Sequence, residues 1–181
     1  MVVDDSTVPT IETGAGVCHV YIDKSADFSK ALPIVINSKT HRPSVCNAAE
    51  TLLVHQEIAN DFLPLALKEL HQAGVILHCD QVSLEVANSL SIPASLATEE
   101  NWSTEYGVLE MNVAVVPDLD SAAAHILKYG TNHTEAIVTE SNESAERFIA
   151  LADCAAVMVN ASTRFTDGQE MGFGAEIGIS N

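Results

Sequence analysis

Short apolar runs alternate along this chain with stretches whose apolar residues recur every three to four positions. GVCHVYID (16–23) reads as a strand. SADFSKALPIVINSKTH (25–41) sets Phe28, Leu32, Val35 and Ile36 at helical spacing, with Ser25 as the predicted N-cap. Pro33 within it implies a kink or an early helix start. ETLLVH (50–55) predicts a strand, and EIANDFLPLALKELHQAG (57–74) an amphipathic helix that contains Pro64 and stops at Gly74. VILHC (75–79) predicts a strand and DQVSLEVANSL (80–90) a helix capped by Asp80. Further on, strands are predicted at VLEMNVAVV (108–116), EAIVTE (135–140) and AAVMVN (155–160). Helices are predicted at LDSAAAHILKYG (119–130) and NESAERFIALA (142–152). LATEENWSTEYG (96–107) is the longest polar insertion, and MGFGAEIGIS (171–180) reads as loop plus a short strand. Strands that alternate with helices predict an α/β fold, a mostly parallel sheet flanked by helices.

At 181 residues and 47 % apolar composition, the chain is long enough for one domain with a real core. No apolar run approaches the ~20 residues of a membrane span. The first residues, MVVDDSTVPT, are acidic and broken by proline, unlike a secretory signal, so a cytoplasmic location is expected. A net charge of −17 repels nucleic acid and anionic membranes, and neither is expected as a partner. The chain has three arginines, Arg42, Arg147 and Arg164, so an anionic substrate must rely on specific local cations. The four cysteines, Cys18, Cys46, Cys79 and Cys154, form no CxxC pair, and the histidines are scattered. Neither pattern predicts a metal site.

Ligands of parallel α/β sheets gather in loops at the carboxyl ends of strands. That rule singles out ASTRFTDGQE (161–170), which follows AAVMVN, and the polar turn that carries Cys46. Cys46 is either a half-buried thiol at a strand entrance or a nucleophile. Arg42, four residues before it, is the cation expected to lower the thiol pKa. Arg164 either grips a carboxylate or phosphate bidentately or pairs with Asp167. Glu12 is a general base or a solvated carboxylate, and His133 a turn or site residue. The glycines of ETGAG (12–16) are a weak phosphate-binding signal, and no full dinucleotide or P-loop motif occurs.

Five segments, TIETGAGVCHVYID, RPSVCNAAETLLVH, NWSTEYG, YGTNHTEAIVTE and VMVNASTRFTDGQEMGFGAEIGIS, together resemble γ-glutamyl phosphate reductase, in the aldehyde dehydrogenase superfamily. The match runs in order over nearly the whole chain. The resemblance implies an aldehyde-dehydrogenase-like catalytic domain at 16–181, its C-terminus incomplete, with 1–15 ending a cofactor-domain segment or linker. It implies reduction of L-glutamyl 5-phosphate with NADPH to glutamate 5-semialdehyde, phosphate and NADP, a step of proline biosynthesis. Most of the NADPH contacts would belong to a domain outside this chain, so the chain alone is expected to be inactive. Cys46 would form a thioester from a turn at the sheet edge, reaching a ligand between two domains. Asn47 would help stabilise the oxyanion. Arg42, Asn160, Ser162, Thr163 and Arg164 would bind substrate, Arg164 at the α-carboxylate. Glu105 would touch the nicotinamide ribose. Glu12, 34 residues before Cys46, falls where hydrolytic relatives carry a general-base glutamate and is assigned to the cofactor side. Association into a homo-oligomer is left open. Two rival readings stand beside this one: an aldehyde dehydrogenase that makes the acid, and a non-catalytic oligomerisation or regulatory module.

Overall fold

The structure, a computed structural model, describes Thr7 and residues 14–174. Seven strands form one sheet in which every pairing is parallel: β1 (Cys18–Ile22), β2 (Ala49–His55), β3 (Ile76–Cys79), β4 (Ala94–Leu96), β5 (Glu110–Val116), β6 (Thr134–Val138) and β7 (Ala156–Val159). Their spatial order is β4-β3-β5-β2-β1-β6-β7. Between them run α1 (Phe28–Thr40), α2 (Gln56–Gln72), α3 (Gln81–Ser89), α4 (Glu99–Trp102), α5 (Leu119–Tyr129) and α6 (Asn142–Leu151).

Strand alternation divides the core in two. Val20, Ile22, Leu52 and Val54 pack with Val35 of α1, Phe62, Leu63 and Leu67 of α2, and Ala87 of α3. The intervening Tyr21, Leu53 and Ile137 point to the other face, against Ala122 and Ile126 of α5 and Phe148 of α6. β1 and β2 are buried along their whole length, which is why they read as continuous apolar runs.

Most boundaries follow local chemistry. Asp80, Asp118 and Ser141 accept from backbone N–H groups at the starts of α3, α5 and α6. His55 caps α2 through Nδ1, which accepts from Glu57 N–H at 3.1 Å. Gly74, at φ +81°, lets the chain turn out of α2. Ser25 is not the cap of α1. Asp27 is, accepting from Ser29 N–H at 2.9 Å, while Ser25 bonds Asp23 and Thr139. The helix starts at Phe28 and runs on past Pro33, and α2 likewise contains Pro64. The polar insertion begins at the last residue of β4 and contains the single-turn α4. Its Trp102 packs edge-on against His125, so the insertion is tied to α5. Among the described residues, no helix is long and apolar enough to cross a membrane. Glu12 and the short strand expected near the C-terminus lie outside the described residues.

Candidate functional site

Cys46 precedes β2, the central strand of the seven. It therefore stands at the amino ends of the strands and in the middle of the sheet, not at its edge. In a parallel sheet, whatever comes before a strand lies at that strand's amino end. The carboxyl-end rule thus misplaced the site. At the carboxyl ends lies a cleft of about 320 Å³, lined by Asp23, His55, Asp118 and Arg147 among others. Of the three arginines it holds Arg147, and it holds none of the residues expected to form the site.

The Cys46 peptide is pressed against the start of β1. Cys18 donates its thiol hydrogen to the Cys46 carbonyl oxygen, with Sγ and O 3.3 Å apart. A Cβ at residue 16 would stand 2.0 Å from that same oxygen, so only glycine fits there. This close approach is what the second glycine of the GAG triplet serves. The Val45–Ala48 turn, closed by Ala48 N–H to Val45 O at 2.9 Å, presents the Cys46 side chain to solvent while Asn47 turns inward.

The segment after β7 reaches the same end of the sheet by doubling back. Asn160, at φ +54°, clamps Thr139 by accepting from its N–H and donating to its carbonyl. Ser162 accepts from Ser38 in the last turns of α1 at 3.0 Å, and Thr163 N–H donates to Ser38 Oγ. A 3₁₀ turn, Thr163–Thr166, then carries Arg164 beneath the cysteine. Arg164 is 1 % exposed. It donates through Nη1 to Asn47 Oδ1, and its Nη2 lies 3.2 Å from Asp167 and 3.5 Å from Glu170. Its Nε has no hydrogen-bond partner among the described residues.

These contacts sort the expected site residues. Cys46, Asn47 and Arg164 come together and line a cleft of about 170 Å³ with Val45, His133, Thr166 and Asp167. Asn160 does not join them. It sits at the carboxyl end of β7, on the far side of the sheet, where its side chain splices two strand ends. Ser162 and Thr163 are buried against α1 and hold the doubled-back segment. Arg42 is exposed and acts on Asp167, whose carboxylate it helps to stabilise. Arg164, not Arg42, is the cation among the largest influences on the Cys46 thiol. Crowding by protein pushes the Cys46 thiol above its ordinary pKa. Its own backbone N–H and Arg164 pull the other way, while Glu105 and Asp167 add to the upward push. The net direction is upward, toward the protonated thiol.

Glu105 is exposed in the loop between α4 and β5, close enough for its charge to act on both Cys46 and His133. Behind it lies a fully buried ion pair, Lys39 Nζ to Glu50 Oε2 at 2.6 Å. Lys39 also sits 5.9 Å from the centroid of the Tyr106 ring. Burial raises the Glu50 carboxyl to about 7, with Lys39 as the main opposing influence. Glu50 stands on β2, four positions after the cysteine, and the nearby backbone N–H groups of Tyr106 and Gly107 also help to hold its pKa down. Sequence reading did not find this pair, because a Lys and a Glu 11 residues apart carry no mark of burial.

No family model matches the chain. Over 179 residues, 99 % of its length, it is 60 % identical to "Gamma-glutamyl phosphate reductase" of Thermobifida fusca, covering 42 % of that protein. It is 54 % identical to the protein of that name from Clostridium beijerinckii, again over 42 % of the relative. The solved γ-glutamyl phosphate reductase of Thermotoga maritima superposes with a TM-score of 0.89 at 50 % identity, covering 99 % of this chain and 42 % of the other. An acetylating aldehyde dehydrogenase from Geobacillus thermoglucosidasius shares the fold, with a TM-score of 0.65 at 23 % identity over 90 % of this chain and 44 % of its own. The chain spans about 42 % of the length of the curated relatives it matches.

Proposed function

We propose that this chain, homologous over nearly its whole length to one portion of the γ-glutamyl phosphate reductases, supplies the nucleophile of that reaction. L-Glutamyl 5-phosphate is reduced to L-glutamate 5-semialdehyde with release of phosphate. One observation carries the reading: the exposed Cys46 thiol stands over a cleft whose floor is a buried guanidinium–amide pair, Arg164 and Asn47.

Cys46 attacks the acyl carbon, and phosphate leaves as the thioester forms. Anchoring of its peptide by Cys18 and Gly16 sets the direction of attack before substrate arrives. Arg164 supplies fixed positive charge on one side of the cleft, where developing negative charge is stabilised without reorganisation. The same charge attracts an anionic group of the substrate. Asn47 accepts from Arg164 through its side-chain oxygen, which leaves its amide N–H groups to face the oxyanion. NADPH, when bound, supplies the hydride that reduces the thioester to the aldehyde. Of the described residues, exposed Glu105 beside Cys46 fits a ribose hydroxyl pair; contacts to the rest of the dinucleotide are assigned to the part of the enzyme outside this chain. Water must be kept from the thioester, because hydrolysis would give glutamate.

The reading is tested by incubating the chain with freshly prepared L-glutamyl 5-phosphate without cofactor, followed by intact mass and peptide mapping. A glutamyl adduct on Cys46 and one equivalent of phosphate are expected, and Cys46→Ser must abolish both. Adduct formation elsewhere, or none, refutes it. An aldehyde dehydrogenase that makes the acid would show no phosphate dependence, and a non-catalytic module would show no adduct.

A further inference from the structure

Burial pushes the Cys46 thiol above its ordinary pKa, and the opposing cation is the buried Arg164, already bonded to Asn47 and close to Asp167. A nucleophile in that state needs a proton acceptor within the cleft. Arg164 cannot serve, and Asp167 is held by Arg164 and by the Gln169 N–H at 3.0 Å. His133 remains. It precedes β6, at the same amino end of the sheet as Cys46, and lines the same cleft.

Its protonation pattern can be worked out from its neighbours. Thr166 Oγ1 lies 3.0 Å from the Thr163 carbonyl oxygen, which only accepts, so the Thr166 hydroxyl hydrogen is spent there. Thr134 Oγ1, 3.0 Å from Thr166 Oγ1, must then be the donor of that pair. With its hydrogen spent in turn, Thr134 Oγ1 must accept from His133 Nδ1 at 2.8 Å. The relay therefore places the imidazole hydrogen on Nδ1 and leaves Nε2 with a free lone pair. Burial lowers the His133 pKa, which keeps the ring neutral and able to accept, while Glu105 opposes that shift and would favour the imidazolium once formed.

We propose that His133 is the general base of acylation, taking the Cys46 thiol proton on Nε2 as sulfur attacks; this rests on the acyl-transfer reading above. The S–H bond breaks and its proton passes to Nε2. The sulfur electron pair forms the C–S bond to the acyl carbon. Collapse of the tetrahedral intermediate breaks the C–O bond to phosphate, which leaves with that electron pair. Thioester, phosphate and imidazolium result, with no change of oxidation state.

The test uses His133→Asn, whose amide nitrogen can replace Nδ1 as donor to Thr134 while the Nε2 base is removed. Phosphate release from L-glutamyl 5-phosphate by the chain is followed from pH 6 to 10. At pH 7 the variant is expected to be slower by about 10²–10⁴-fold, the range for a lost general base. The deficit should shrink as rising pH ionises the thiol directly, and added free imidazole should restore part of the rate. A deficit equal at every pH and untouched by imidazole would mean a structural role and overturn the proposal. So would a rate equal to that of the unaltered chain. If the unaltered chain itself releases no phosphate, the acyl-transfer reading falls and this inference with it. Should His133→Asn not fold, His133→Gln is measured in its place, with the same expected pH-dependent deficit and the same refuting outcomes.

Discussion

Arg164 donates through Nη1 to the side-chain oxygen of Asn47, the residue next to Cys46. A cation 117 residues further along the chain thus holds the turn that carries Cys46. It can do so because the segment after β7 folds back along α1, locked by Ser38 and Ser162. Positioning and local stability therefore meet in one guanidinium.

Arg164→Ala should lower the stability of the chain by about 1.5–3 kcal/mol, the range for a lost hydrogen bond to a charged group with its partner left buried. It should also slow acylation of Cys46. Urea denaturation measures the first effect and phosphate release the second. An unchanged midpoint would show that the guanidinium serves the ligand alone.

Gly16→Ala would force a methyl group to within 2.0 Å of the Cys46 carbonyl oxygen, which is backbone and cannot swing aside. A destabilisation of about 1–3 kcal/mol is expected, as for overpacking in a core. Thermal melting reads the loss, and phosphate release should fall further because the displaced peptide carries the nucleophile. Gly14, with nothing within 4 Å of the corresponding position, is the control: Gly14→Ala should leave both unchanged.

Alkylation by iodoacetamide should modify Cys46 before Cys18, Cys79 or Cys154, since it alone of the four is exposed. Its rate should still be climbing above pH 9, because burial and the Glu105 charge push the thiol upward. Arg42→Ala should leave that profile unmoved. A drop in reactivity in Arg42→Ala would restore the arginine as the activating cation.

His125, packed against Trp102 and Tyr129, has its pKa lowered to about 3, chiefly by burial and then by His19 and Lys128. In the unfolded chain it takes a proton near pH 6.5, so between about 6.5 and 3 the unfolded state binds more protons. Stability is therefore lost as pH falls through that window, with a slope on the order of 1 kcal/mol per pH unit from this residue. His125→Phe keeps the ring packing and should flatten the slope, measured by urea denaturation between pH 4 and 7. Parallel slopes in the two proteins would assign the acid sensitivity to other groups.

Local chemistry determined the elements. Aspartate and serine caps, the glycine after α2 and runs of β-branched residues act over a few residues, so their effects are written in neighbouring positions. That is why β1, β2, β3, β5, β6, β7 and five of the helices were readable, and why a mostly parallel α/β class followed from their alternation. β4 and α4 were missed because a three-residue strand and a single helical turn have too little periodicity to register. Cys46 was legible as a candidate nucleophile because its flanking motif is specific. Its partners were not. Whether Arg164 or Arg42 faces the thiol depends on a reversal after β7, and Asn160 is carried to the opposite end of the sheet by that same geometry. The tautomer of His133 depends on three threonine groups, from Thr134, Thr163 and Thr166, that only the folded chain brings into a row. Short-range preferences shaped the strands and helices; which charges meet across the length of the chain was decided by how the sheet orders its strands.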